Sequence, residues 1–277
     1  MKPAPFAYRS AETVEEAVAA LAELGEDARV LAGGQSLVPM LNLRLARPSA
    51  LVDVGRVAAL SGIVANGALR LGATTRQADA LRSGLVAERA PLLTEALRHV
   101  GHPATRSRGT VGGSIAHADP AAELPAVLLA LDGEAIVVSA GGERVIPAAS
   151  LFEGPFATTL SEGELLTTLR LRDTPASARH GFAEIARRRG DFALAGAAAV
   201  VAPGYARVAL FAVAPCAFRA PEAEHALEQG AGAEEAAALA AAASDPSGDP
   251  HATAAYRREA ARVATLRALL AAGVPRG

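Results

Sequence analysis

The chain is poor in cysteine. Cys216 stands alone among 277 residues, so no disulfide can close within the chain. It also cannot hold an iron–sulfur cluster, which takes about four thiolates. Aromatic residues make up 4%. Neither charge sign dominates: 27 Lys+Arg face 29 Asp+Glu, a net charge of −2, whereas a nucleic-acid binder carries a basic excess or stripe. Apolar runs such as residues 193–202 fall far short of the ~20 residues that cross a bilayer. Met1-Lys2-Pro3-Ala4 leads into polar sequence and not into the apolar stretch of a signal peptide. A soluble, cytoplasmic protein is expected. Two nucleotide fingerprints are missing as well. No G-x-G-x-x-G follows the first strand, which excludes a Rossmann site, and no G-x-x-x-x-G-K-[ST] is present, which excludes a P-loop. Gly112-Gly113-Ser114 is not the G-x-S-x-G elbow of a serine hydrolase.

What is present is enough apolar residue to build a core. Hydrophobic residues are 51% and charged residues 20%, the opposite of a disordered composition, and the length suits about two domains of ~100–200 residues each. Thr13-Val14-Glu15-Glu16 has the form of a capping box, followed by Val14, Ala17, Val18, Leu21 and Leu24 at helical spacing, with Gly25 as the stop. Strands are expected at 28–31, 51–54, 134–139, 165–171, 193–202 and 205–213. A hairpin is expected at 63–71 around Asn66-Gly67 and another at Pro203-Gly204. Helices are expected at 75–82 and 91–99. Residues 101–114 read as a polar loop, and Asp119-Pro120 as the cap and first turn of a helix reaching Leu131. Beyond Pro221 the pattern is helical, with a break at 245–250. Helices and antiparallel hairpins are mixed without strict alternation, so the fold class is α+β. A domain boundary is placed near residues 173–177.

Two glycine pairs carry the most chemistry. Ala32-Gly33-Gly34-Gln35-Ser36 leaves a strand, and Val111-Gly112-Gly113-Ser114 precedes a helix. Each can be a plain tight turn. Each can also point consecutive amides at one anion, and together they could grip a pyrophosphate from two sides. His99, His102, His117 and Asp119 are metal-ligand types, but His102 precedes a proline in a loop and Asp119 is assigned a capping role, so no metal site is expected. The run Arg187-Arg188-Arg189-Gly190-Asp191 reads either as a solvated loop or as an anion or partner contact. Cys216, beside Pro215 at the end of an apolar strand, reads as a buried small residue and not as a nucleophile.

At these motifs the chain resembles a known family. Residues 31–39 with Arg44-Leu45 resemble the first flavin motif of the molybdenum hydroxylase flavoproteins. Residues 108–120, from Arg108-Gly109-Thr110 to Asp119-Pro120, resemble the second, continuing through Glu123-Leu124-Pro125-Ala126. Gly190-Asp191-Phe192-Ala193-Leu194, Asp249-Pro250-His251 and Tyr256-Arg257-Arg258 also fit. The likeness runs almost end to end and points to the FAD subunit, or medium chain, of the carbon monoxide dehydrogenase and xanthine dehydrogenase type. Gln35 stands where many relatives have His, Ser107 where Asn is common and Glu184 where Lys often occurs.

The resemblance implies a two-lobed FAD-binding domain of the vanillyl-alcohol-oxidase (PCMH) type over residues 1–175, with lobes of about 1–55 and 56–175. It further implies a C-terminal α+β domain over 176–277 with a small three-stranded antiparallel sheet and helices. Carried over residue by residue, it places Ala32, Gly33, Gly34, Gln35, Ser36 and Leu37 with Thr110, Val111, Gly112, Gly113, Ser114 and Ile115 on the FAD pyrophosphate and ribityl. Backbone amides and the Ser36 and Ser114 side chains would make these contacts. His117, Asp119, Glu123 and the apolar Leu160 would also touch the cofactor, and Asp191 and Phe192 would tune the flavin or access to it. No metal is implied on this chain. The molybdenum cofactor would sit on a large partner subunit and [2Fe–2S] clusters on a small one, in a dimer of heterotrimers, with attachment of the complex to the inner face of the membrane left open. The expected function is electron transfer from the partner's clusters through FAD to NAD, a quinone or another acceptor. A self-contained FAD oxidase or dehydrogenase and a non-catalytic nucleotide-binding scaffold are the alternatives.

Overall fold

The computed structural model describes residues 2–277. The first unit is a parallel three-stranded sheet in the order β1-β3-β2, formed by β1 (Ala7–Ser10), β2 (Ala28–Leu31) and β3 (Ala50–Asp53). Helix α1 (Val14–Leu24) crosses from β1 to β2, and the short α2 (Leu37–Asn42) follows β2. Helix α1 starts where expected. The Thr13 hydroxyl accepts from the Glu16 amide at 3.1 Å, and the Glu16 carboxylate accepts from the Glu12 amide at 2.8 Å. That second contact lies one residue earlier than in a strict capping box. Ala17, Val18 and Leu21 pack on Val52 and Val54 in a small core.

The second unit opens with the hairpin β4 (Ile63–Asn66) and β5 (Ala68–Gly72), turning at Gly67 with φ +74°. Helices α3 (Gln77–Arg82), α4 (Gly84–Arg89), α5 (Pro91–Leu97), α6 (Pro103–Arg108), α7 (Val111–His117) and α8 (Glu123–Ala130) follow. Then come β6 (Glu134–Ser139), β7 (Gly142–Pro147), the small hairpin β8 (Phe152–Gly154) and β9 (Ala157–Thr158), and β10 (Leu165–Leu171). The larger strands form an antiparallel sheet in the order β4-β5-β10-β6-β7. Two expectations need correction here. Residues 101–114 are not a loop, because they hold α6 and the first half of α7. Pro103 sits in the first turn of α6, where its missing N–H costs nothing, and the Thr110 hydroxyl caps α7 by accepting from Gly113 at 3.1 Å. Asp119 does not cap α8. It accepts from the Ala121 amide at 2.8 Å, closing a turn, and α8 starts only at Glu123 behind Ala122.

The third unit is an antiparallel sheet of β11 (Arg179–Ala186), β12 (Ala193–Ala202), β13 (Tyr205–Phe211) and the two-residue β14 (Phe218–Arg219). It therefore has one strand more than the three expected. Helices α9 (Pro221–Glu228), α10 (Ala233–Ala242) and α11 (Ala254–Ala271) cover one face. The continuous apolar run of β12 is explained by two buried faces. Ala195, Ala197 and Ala199 face the helices, while Ala198 and Val200 join the core of the second unit, as do Phe182 and Phe211. Asp132, at the turn after α8, accepts from Arg207 at 2.8 Å and Arg219 at 3.0 Å and ties the same two units together.

Candidate functional site

Where the first two units meet and the third closes over them lies a cleft of about 580 Å³. Its first wall is the segment between β2 and α2. The amides of Gly33, Gly34, Gln35, Ser36 and Leu37 donate to no group among the described residues. Gly34 has φ +70°, which favours glycine, and the Gln35 carboxamide donates back to the Gly33 carbonyl at 3.3 Å. Such a run of free N–H groups is the usual backbone nest for an anion. Gly33 is required by contact. A Cβ there would lie 2.4 Å from the Arg108 carbonyl oxygen and 3.0 Å from the Gly109 Cα.

The second glycine pair does different work. The Val111 amide donates to Thr75 at 3.0 Å, Gly112 to Ala73 at 2.9 Å and Ser114 to Thr110 at 3.2 Å, while Gly113 is taken by the Thr110 hydroxyl. Val111 and Ile115 are buried in the core of the second unit and do not line the cleft. The expectation that this stretch grips an anion through its amides is corrected accordingly. What it presents to the cleft is the Ser114 side chain and a surface kept low by the absence of Cβ atoms. Gly112 is needed for packing, since its Cβ would stand 2.7 Å from the Ala73 Cα and carbonyl oxygen.

The remaining expected residues line the cleft: Ala32, Ser36, Leu37, Thr110, His117, Asp119, Glu123, Leu160, Asp191 and Phe192. Phe192 is 76% exposed at the mouth. Asp191 has a buried carboxylate oxygen with no hydrogen-bond partner, and Arg187 and Arg188 approach it only to 3.9 and 3.8 Å. The three histidines each pack separately. His99 lies against Phe182 and His117 against Phe156, both at 5.1 Å between ring centroids, and His102 fills the space beside Gly190. Burial, with the nearby Arg189 and Arg98 charges, lowers the pKa of His99. Burial also lowers that of His117, against the pull of Asp119.

Two carboxyls stand out electrostatically. Burial pushes Glu123 up to about 7, helped by the Asp119 charge and opposed by its own backbone amide and Arg106. Glu184, on β11 behind the cleft wall, is pushed up to about 8 by burial and then by Glu123, and its Oε2 has no hydrogen-bond partner. For an acid whose pKa rises on folding, the unfolded chain ionises first. Stability is therefore full below the ordinary value near 4.5 and falls as pH climbs to about 8. Thermal stability is expected to fall steadily between about pH 5 and 8.5, by at least several degrees in Tm for a chain of this size. Glu184→Gln flattens that slope. Thermal melts of the two proteins across this range check it, and equal slopes would remove Glu184 as a cause.

Several lining residues carried no sequence signal. Arg29, Val30 and Val54 come from the first sheet, Thr74 and Gln77 from the region around α3, and Glu164, Leu165 and Leu166 from β10 and the turn before it. Gln77 is 5% exposed with an unpartnered Oε1. Alternation within β10 hinted at burial but not at the cleft. The free amide run, the cleft volume of about 580 Å³ and its mixed apolar and polar walls fit a dinucleotide with an apolar ring system.

The family described as "FAD binding domain in molybdopterin dehydrogenase" matches residues 4–171, and "CO dehydrogenase flavoprotein C-terminal domain" matches 180–272. The chain is 41% identical to the 6-hydroxypseudooxynicotine dehydrogenase complex subunit alpha of Paenarthrobacter nicotinovorans, over 97% of this chain and 95% of that one. It is 34% identical to the carbon monoxide dehydrogenase medium chain of Afipia carboxidovorans, over 97% of each. Among solved structures it matches carbon monoxide dehydrogenase from Hydrogenophaga pseudoflava with a TM-score of 0.95 at 38% identity, covering 99% of both chains.

Proposed function

The chain belongs to the family of FAD-binding subunits of molybdopterin dehydrogenases, and from that premise we propose that it holds FAD between a [2Fe–2S] partner subunit and an external electron acceptor. The observation that carries this reading is the run of five free amides at one wall of a dinucleotide-sized cleft. Bound FAD would supply two-electron chemistry that can also proceed in single-electron steps.

The chain's own contribution is binding, orientation and exclusion. Gly33, Gly34, Gln35, Ser36 and Leu37 offer N–H groups to the pyrophosphate, and Ser114 adds a hydroxyl from the facing wall. Thr110 holds that wall by capping α7. Leu160 and Phe192 offer apolar surface to the ring system, and Glu123 offers a carboxyl that burial keeps largely protonated below about 7. Residues 1–175 form the FAD-binding domain in this reading, and 176–277 close its open side. The partners are a large molybdenum-cofactor subunit and a small [2Fe–2S] subunit, in a dimer of heterotrimers in the cytoplasm. The oxidised substrate meets the large subunit, so its identity is not written in this cleft.

The test is a reconstitution. The full chain is titrated with FAD, freed of excess ligand and mixed anaerobically with the reduced iron–sulfur subunit. One FAD per chain and bleaching of the flavin band only in the presence of that subunit are expected. Flavin reduction by an organic substrate without any partner would favour a self-contained oxidase. A folded chain that takes up no FAD, alone or with its partners, would favour a scaffold.

A further inference from the structure

The motif Asp249-Pro250-His251 with Tyr256-Arg257 lies far along the chain from the glycine pairs, yet one of its side chains reaches back to the cleft wall. Arg257, near the start of α11, has a side chain only 11% exposed. Its Nη1 donates to the carbonyl oxygens of Leu194 at 2.9 Å and Ala212 at 3.2 Å. Its Nη2 donates to Asp249 at 2.6 Å. The other Asp249 oxygen accepts from the amides of His251 at 2.7 Å and Ala252 at 2.9 Å, so the carboxylate is itself held in place.

Neither carbonyl falls within the β12–β13 ladder. The β12–β13 ladder ends at the pair Gly196↔Phe211, and both Leu194 and Ala212 lie beyond it. On the other side, Ile185 pairs with Ala195 and Ala186 with Ala193, which leaves Leu194 as the extra residue of a β-bulge. The bulge reverses the alternation of β12. Ala195 faces the helices, whereas Ala193 faces the core of the second unit. Bulges of this kind re-aim the chain beside functional sites. Buried carbonyls without partners are costly, and a planar guanidinium can satisfy a divided end of a sheet in one plane.

Strand β12 leads directly into the cleft, and the end of β13 contacts the turn beside it. Two residues before Leu194 stands Phe192, preceded by Asp191. Ala212, with φ +63°, donates its amide to the Pro120 carbonyl at 2.7 Å, beside the turn that carries Asp119. We propose that Arg257, oriented by Asp249, is a positioning residue that fixes the Asp191–Phe192 edge and the Asp119–Pro120 turn of the cleft in register with each other. It acts through backbone and touches no cofactor.

The loop before Phe192 contains Arg187, Arg188 and Arg189, so trypsin reports its mobility directly on the full chain without FAD. In Arg257→Gln, cleavage after these arginines, located by mass spectrometry, is expected to rise about tenfold through local opening. Asp249→Asn keeps an acceptor for the two amides and loses the charge facing Arg257, so a smaller rise is expected. Arg257→Lys should restore part of the protection. Arg262→Gln, on the same helix but paired with Glu259 and Glu234, should change nothing. In FAD-loaded protein, Arg257→Gln is expected to shift the flavin's visible band and weaken FAD binding about tenfold. The inference relies on the proposed FAD site only for these last two readouts. Failure of the wild-type chain to bind FAD would overturn that site and leave the cleavage test standing. Unchanged cleavage in Asp249→Asn and Arg257→Gln, or an equal rise throughout the chain, would overturn the positioning role. If Arg257→Gln does not fold, Asp249→Asn decides alone.

Discussion

Gly33→Val is expected to cut FAD binding at the proposed site at least about a hundredfold while the chain still folds. The added side chain would begin 2.4 Å from the Arg108 carbonyl oxygen and 3.1 Å from its carbon. Those atoms are backbone at the junction of α6 and α7 and cannot turn aside like a flexible side chain. The nest segment must lift away from the second wall, and its free amides then point elsewhere. Gly33 is buried, but it sits on the segment between β2 and α2, which can lift from the second wall, so the thermal cost should stay at the lower end for overpacking, about 1 kcal/mol. The affinity loss should be at least about a hundredfold, since several charge-assisted hydrogen bonds to the pyrophosphate are lost together. Isothermal titration with FAD and a melt on the same sample measure both. Unchanged affinity in a folded variant would remove the 33–37 segment from the site. Gly112→Val is the instructive contrast. Its Cβ meets Ala73 backbone inside the second unit, so stability should fall along with binding.

Gly181→Val should have the largest effect on the fold. A Cβ on Gly181 would lie 1.9 Å from the Ala268 carbonyl oxygen and 3.0 Å from the Ala272 amide nitrogen. Strand β11 therefore runs directly against the last turns of α11. The interface beside it is built of small residues: Ala195, Ala197 and Ala199 on the sheet, and Ala260, Ala261, Ala264 and Ala268 on the helix. Alanines contribute through close approach, and dispersion contacts are forfeited quickly as a gap opens. Displacing the helix costs about 3 kcal/mol or more, at the upper end for overpacking. The melting temperature should drop by roughly 6–12 °C, or the protein should fail to accumulate. A melt within two or so degrees of wild type would show that α11 is not held where it lies.

Much of the molecule was legible because its signals are local. Thr13 and Glu16 announce α1, Asn66-Gly67 a hairpin, and Pro203-Gly204 the turn between β12 and β13, each through chemistry confined to a few neighbouring residues. Strand β1 escaped notice because all four of its residues are exposed; its pairing with β3 is held by backbone hydrogen bonds that leave no apolar alternation. Helix α6 was hidden because four of its six residues are polar or charged and none is buried. Its position depends on Arg106 donating to the carbonyls of Val100 and Gly101, and on Gln77, whose amide donates to Gly109.

The flavin family rested on the resemblance carried by residues 31–39 and 108–126. Composition and element pattern were sufficient for the α+β class and the two glycine pairs, because glycine's freedom and the absence of rival fingerprints are properties of the chain as written. They could not separate the roles of those pairs. In both segments the residue types permit an anion nest, and only the folded chain reveals that Ala73, Thr75 and Thr110 consume the amides of one while those of the other stay free. The raised carboxyls of Glu123 and Glu184 and the reach of Arg257 to Leu194 belong to the same category. Each arises from groups distant along the chain that share a place poor in water, where desolvation and unpaired hydrogen-bonding capacity set the energy.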